Sequence, residues 1–173
     1  MALAVSLGLA LQCATEAAGE GLEYQVKAAF LLNFTKFVEW PDAAFESAES
    51  PLSICVLGDE LFGDALDHVM GGEGLDGRKL AVLRLKGPPS PKACQVLFVG
   101  RAEKSPVKLF PAMGPGVLTV GEGRSFLRDG GIIAFVLENG HVRFGINEKA
   151  AQAADLKLSS KLFTVARFVE KSK

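Results

Sequence analysis

Side chains able to do chemistry are few in this sequence. Its two histidines are His68 and His141. Neither belongs to a HExxH, CxxC or CxxC…HxxxH pattern, the spacings that present ligands to zinc. No GxSxG is present, so no serine is offered on a nucleophile elbow. The turn "GDELFG", Gly58 to Gly63, follows a strand-like run where a phosphate would sit on a helix N-terminus. Asp59, Glu60 and Asp64 make that place negative, and the GxGxxG spacing fails there and in "GEGRSF", Gly121 to Phe126. A plain βα turn with Asp59 capping the helix fits better. Carboxylate pairs such as Asp59/Glu60 and Glu122/Asp129 are too common to define an acid–base site. The expectation is a non-enzymatic protein with no catalytic, metal-binding or cofactor-binding residue. A small ligand in a crevice at the carboxyl ends of the strands is the alternative.

The three cysteines are Cys13, Cys55 and Cys94. Cys55 and Cys94 sit in or beside the apolar β-like runs "SICVLG" and "CQVLFVG". With the first twenty residues removed in export, these two remain; neighbouring strands would let them bond, leaving no thiol for nucleophilic catalysis. Two separate buried thiols, behaving as small hydrophobes, are the other reading.

The elements that position these residues fit one domain. The chain has 173 residues, 49% apolar and 23% charged, with a net charge of −1. That is enough for one sizeable core, and there is no basic surplus to follow a nucleic-acid backbone. The tail "KLSSKLFTVARFVEKSK" leans basic, as a solvated helix face does. Residues 1–19 differ in kind. Ala2 to Leu11 is an uncharged apolar run of signal-peptide length, followed by small residues suited to cleavage at Thr15-Glu16-Ala17 or Ala17-Ala18-Gly19. No Lys or Arg precedes the run, so its basic flank is missing. Ala10-Leu11-Gln12 is the wrong context to make Cys13 a lipoprotein cysteine. The reading is a signal peptide over 1–19, a single domain over 20–173, and a periplasmic location; a buried N-terminal helix of a cytosolic protein is the alternative.

Residues Tyr24 to Trp40 are predicted helical. Val26, Phe30, Phe34 and Phe37 share one side of that helix with Leu31 and Val38, and Pro41 stops it. The Phe30, Phe34 and Phe37 stripe is expected to be core. Leu32 projects from the polar face and Trp40 lies at its margin, so both are candidate partner-binding residues, for a second copy or another protein. Apolar runs at Leu52–Leu57, "KLAVLRL", "CQVLFVG" and "GVLTVGE" read as strands, with a helix in "GDELFGDALDHVM" between the first two. "SPVKLFPAM" and "SFLRDGG" read as short helices or turns. "IIAFVLENGHVRFGIN" is a hairpin across Asn139-Gly140 with a type I′ turn. The chain from Asn147 onward is predicted helical, with Asn147 and Ser159 as N-caps and Leu162, Val165, Ala166 and Val169 along one face of its last part. The fold class is α/β: a three-layer sandwich with a mostly parallel sheet, an antiparallel C-terminal hairpin, and helices on both faces.

The blocks "KAAFLLNFTKFVEWP", "SICVLGDELFG", "GVLTVGEGRSFLRDGGIIAFVLENGHVRFGIN" and "AAQAADLKLSSKLFTVA" resemble the successive blocks of the YfiR family, from about Tyr24 to about Val169. The resemblance implies a periplasmic protein. It implies a repressor that binds the periplasmic sensor region of an inner-membrane diguanylate cyclase, hence a role in cyclic-di-GMP signalling and biofilm regulation. A sensor kinase is a second kind of membrane partner, and an outer-membrane lipoprotein that binds peptidoglycan is implied as a competitor. A homodimer is a further expectation. The resemblance pairs Cys55 with Cys94 in a disulfide. A second cysteine pair found in some members has no counterpart here.

Overall fold

The computed structural model describes residues 6–58, 61–72, 74–101 and 108–171. The chain opens with the long helix α1 (Ser6–Thr35), followed by β1 (Val38–Glu39), a 3-10 turn at Asp42–Ala44 and the buried strand β2 (Leu52–Leu57). Next come α2 (Ala65–Met70), the short strand β3 (Gly74–Leu75) and β4 (Arg78–Leu85). Then follow β5 (Val96–Val99), α3 (Phe110–Met113), β6 (Leu118–Glu122) and α4 (Arg124–Arg128). The chain closes with β7 (Ile133–Glu138), β8 (His141–Asn147), α5 (Glu148–Ala153), β9 (Lys157–Leu158), α6 (Ser160–Val165) and β10 (Phe168–Glu170).

Eight strands form one sheet in the order β10-β8-β7-β6-β5-β2-β4-β3, and β1 pairs with β9 apart from it. β4, β2, β5, β6 and β7 run parallel to one another, which is why their middle members are apolar on both faces. The β7–β8 pair is antiparallel. At its turn Asn139 and Gly140 both take positive φ, at 52° and 74°, as a type I′ turn requires. The expected α/β sandwich is therefore present.

One face carries α1, α2, α5 and α6. Its core joins Leu31, Phe34 and Ala28 of α1 to Ile54, Val96, Leu118 and Ile133 of the sheet. Phe34 lies 5.0 Å from Phe144 and 5.8 Å from Phe135 between ring centroids, with Phe30 edge-on to Phe144 at 5.6 Å. The other face is covered by α3 and α4, where Phe126, Leu127 and Met113 pack on Leu97, Val99 and Ala134. Cys55 and Cys94 are joined there as a disulfide, with Cα atoms 5.8 Å apart, closing β2 onto the segment that enters β5.

Three expectations are corrected. The first helix ends at Thr35 rather than Trp40: the amides of Lys36 and Phe37 bond to the carbonyls of Asn33 and Phe34 in a tightened last turn. Val38 and Glu39 then pair as a strand with Leu158 and Lys157. The C-terminal stretch is not one helical region. Asn147 and Ser159 do cap helices, through Ala150 N and Lys161 N, but strand β9 separates those helices. Val169 lies in β10, parallel to β8, and Val165 is exposed. β10 also displaces the hairpin from the sheet edge. Strand pairing with a distant partner wins here over local helical periodicity. The proposed cap Asp59 lies outside the described residues, as do residues 1–5 of the proposed signal segment; the rest of that segment is part of α1.

Phe34 is 1% exposed at the centre of the aromatic cluster. Phe34→Ala is expected to lower unfolding free energy by about 3–5 kcal/mol, a large share of a domain's ~5–15. Urea unfolding followed by Trp40 fluorescence measures it; a loss under about 1 kcal/mol would show that the cluster is not the core of the helix–sheet contact.

Candidate functional site

The most concentrated polar chemistry lies at the carboxyl ends of β5 and β6, where α1 crosses the sheet. Glu122 ends β6, with only 4% of its side chain exposed. Lys27 comes down on it from α1, 1% exposed, with Nζ 2.6 Å from Glu122 Oε1. The Tyr24 hydroxyl, one helical turn earlier, donates to the same oxygen at 2.7 Å. Arg101, just after β5, donates through Nε to Glu122 Oε2. Glu23 accepts from Lys27 on the same helix and lies 3.6 Å from an Arg101 nitrogen. The Lys27 ammonium also sits 4.1 Å from the centroid of the Tyr24 ring. Two carboxylates thus meet two cations and a phenol, with each buried charge answered by its opposite.

The electrostatics follow from that geometry. Burial disfavours the Glu122 carboxylate, but hydrogen bonds from Lys27 and Tyr24, with the charges of Lys27 and Arg101, outweigh it and hold its pKa below the ordinary value. Burial and the adjacent Glu122 push the Tyr24 phenol well above the usual tyrosine range. Burial works against the Arg101 charge too, yet Glu122 raises its pKa on balance. No oxygen or nitrogen buried in a side chain lacks a partner among the described residues. The cluster therefore does structural work in its present state: it clamps α1 to the sheet.

This cluster escaped the reading of the helix as a simple apolar stripe. Glu23 and Lys27 stand at i,i+4, the one local sign available. Nothing local connects them to a carboxylate 95 residues further along the chain.

The sequence-predicted contact residues behave differently from expectation. Leu32 is not on the polar face: it is 8% exposed and belongs to the main core. With α6, β9 and the β1 turn packed on the same face as α1, the helix buries more than one stripe. Trp40 is half-buried, and its indole N–H donates to the Gln95 carbonyl at 3.2 Å. Gln95 itself is buried. Its side-chain amide donates to Ala44 O at 2.8 Å and accepts from Ser53 N at 2.8 Å. The Trp40-Pro41 turn is thereby tied to the residue beside Cys94. Gly116 fits against it because a Cβ there would overlap that of Ala44.

Several concavities lie elsewhere, and two of them bear on function. A cleft of about 480 Å³ is lined by Phe110, Met113, Val117, Ile132 and Ala150, with Lys149 beside them. An apolar groove of about 680 Å³ runs between α1 and the hairpin, lined by Leu22, Val26, Phe30, Leu137 and Val142. Among the described residues no group of three or more His, Cys, Asp or Glu is placed to hold a metal ion. No helix there is long and apolar enough to cross a membrane.

Fold and cluster together define an α/β protein with one long helix clamped across a mostly parallel sheet. The model of the YfiR/HmsC-like family, DUF4154, matches residues 24–167, and the chain belongs to that family. Comparison with the curated proteins finds no match. Among solved structures, an ABC domain from Streptococcus pneumonia in complex with L-Trp is similar at a TM-score of 0.44 and 10% identity, over 69% of this chain and 55% of that one. A conserved domain protein from Vibrio cholerae O1 biovar El Tor gives 0.44 and 13%, over 68% and 54%. The chain spans about half the length of each.

The cluster sets a pH signature. The folded pKa of Glu122 lies below its unfolded value of roughly 4.3, so its stabilisation is present above that pH and fades as pH falls through the folded value. For Tyr24 the folded value lies above the unfolded one of about 10, so its contribution holds below pH ~10 and is lost above it. Tyr24 is the chain's single tyrosine, so the phenolate increase in absorbance near 295 nm comes from it. Phenolate is expected only together with alkaline unfolding. Glu122→Gln should cost about 3 kcal/mol and flatten the acid limb of stability; an unchanged acid limb would remove Glu122 from this role.

Proposed function

We propose that this chain is a non-enzymatic periplasmic regulator that binds and restrains a membrane-anchored signalling enzyme, a diguanylate cyclase before a sensor kinase. The match to the YfiR/HmsC-like family across residues 24–167 carries the reading. The disulfide between Cys55 and Cys94 supports an oxidising compartment. The groove of Leu22, Val26 and Leu137, all exposed, supports a role in protein contact. Restraint of this kind is a population shift: the regulator binds the inactive form of its target more tightly than the active one, and a competitor such as an outer-membrane lipoprotein removes the bias.

A second reading, a small-molecule-binding module, draws on the cleft beside Lys149, whose volume suits a compact ligand. A thermal shift against a metabolite panel separates the two.

The deciding experiment is crosslink-and-capture from the cell envelope of the native host, paired with cyclic-di-GMP measurement in a deletion strain. The expected outcome is a membrane-anchored cyclase in the capture, and a rise in cyclic-di-GMP that a restored gene reverses. Recovery of the protein alone, with unchanged cyclic-di-GMP, would overturn the regulatory reading.

A further inference from the structure

A strand at the end of a sheet turns the N–H and C=O groups of alternate residues outward, where only water or another strand satisfies them. Among the described residues β4 is in that position over most of its length. β3 covers only its start, through Gly74 opposite Lys79 and Leu75 opposite Arg78. From Ala81 to Leu85 no described strand lies on its outer side. That stretch spans about 17 Å, room for a short extended segment. Leu83 at its centre is 39% exposed, and the half-buried Ala81 and Leu85 share its face by strand alternation.

The unmatched charges flanking this stretch are positive. Lys79 and Lys86 are exposed at its two ends, and neither has an ion-pair partner among the described residues. Arg84 between them is held by Asp67 of α2 and the Gly63 carbonyl. Asp76 belongs to the β3–β4 turn, beyond the covered start. Lysine and proline at an edge guard against indiscriminate pairing. Here Pro88 and Pro89 close the run without interrupting it, and Leu83 stays uncovered between the lysines. The unmatched positive charge selects an acidic occupant, and works against a basic one or a second copy of this edge.

We propose that the outer side of β4 is a docking edge for an extended acidic segment of another protein, which joins the sheet as a further strand. Its backbone satisfies the outward groups of Ala81–Leu85. Apolar side chains at its centre cover Leu83, and carboxylates at its ends meet Lys79 and Lys86. The inference deepens the regulatory reading and rests on it only for the source of the segment, a membrane-anchored partner or its competitor.

The test measures amide hydrogen exchange of the purified full chain by NMR. The probe is a synthetic peptide that alternates Val and Thr at its centre and carries paired Asp at both ends. It is expected to bind with a Kd on the order of 100 µM, and to slow exchange within Ala81–Leu85 about tenfold or more at saturation. The same peptide with Lys at its ends should bind about tenfold more weakly, and roughly 300 mM salt should narrow the difference. The double variant Lys79→Glu, Lys86→Glu should reverse the preference and favour the Lys-ended peptide. Equal binding of the two peptides, or no binding at about 1 mM, would overturn the proposal, as would protection elsewhere than Ala81–Leu85. So would slow exchange there in the free chain that grows with chain concentration, because a second copy would then hold the edge. Should the double variant melt early, the two peptides on the unaltered chain still decide. Failure here leaves the cyclic-di-GMP result untouched, so the two readings fall separately.

Discussion

A lysine buried as deeply as Lys27 calls for a carboxylate beside it, and Glu122 supplies one from the end of β6. Much of the architecture serves that meeting. α1 must cross the sheet near the carboxyl ends of β5 and β6 for the ammonium to arrive. Tyr24 must then face the same oxygen, and Arg101 must close the cluster from the end of β5. An ion pair so deep contributes little net stability over an apolar pair of the same shape, but it tolerates few alternative placements of the helix. Position and register of α1 are what it specifies.

Apolar packing supplies the bulk of the attraction behind this clamp. The Phe30, Phe34, Phe135 and Phe144 cluster joins α1 to the β7–β8 hairpin further along the same face. At the end of α1, the Trp40-Pro41 turn is held to Gln95, whose neighbour Cys94 is bonded to β2. Helix, turn and sheet are thereby fixed at three places along α1, each by a different kind of interaction: charge, aromatic packing, and a buried amide beside a disulfide. Among the described residues, the groove by Leu137 and the outer side of β4 beyond β3 are left open.

The legible parts of the sequence were those with a strong local cause. Asn139-Gly140 fixes a hairpin because both residues tolerate positive φ, and Asn147 and Ser159 cap helices because their side chains reach the first free amides. The buried run Leu52–Leu57 could hardly be anything but a central strand. Leu32 was misplaced for an instructive reason. A helical wheel divides residues into two faces, whereas α1 is flanked by further elements and buries residues on more than one side. Val169 was misplaced because its helical spacing is real, yet its backbone gains a strand partner in β8 that no local pattern announces.

The sequence by itself determined the class of fold, the hairpin, two helix caps and, through its ordered blocks, the family. Each rests on interactions between residues near in the chain or on a pattern repeated along it. Tertiary structure alone decided that Lys27 and Glu122 form one buried cluster, that Trp40 is anchored to Gln95, and that the chain's last strand joins β8. Those contacts join residues far apart in the chain. Only the free energy of burying charge and backbone groups in company, rather than alone, selects them.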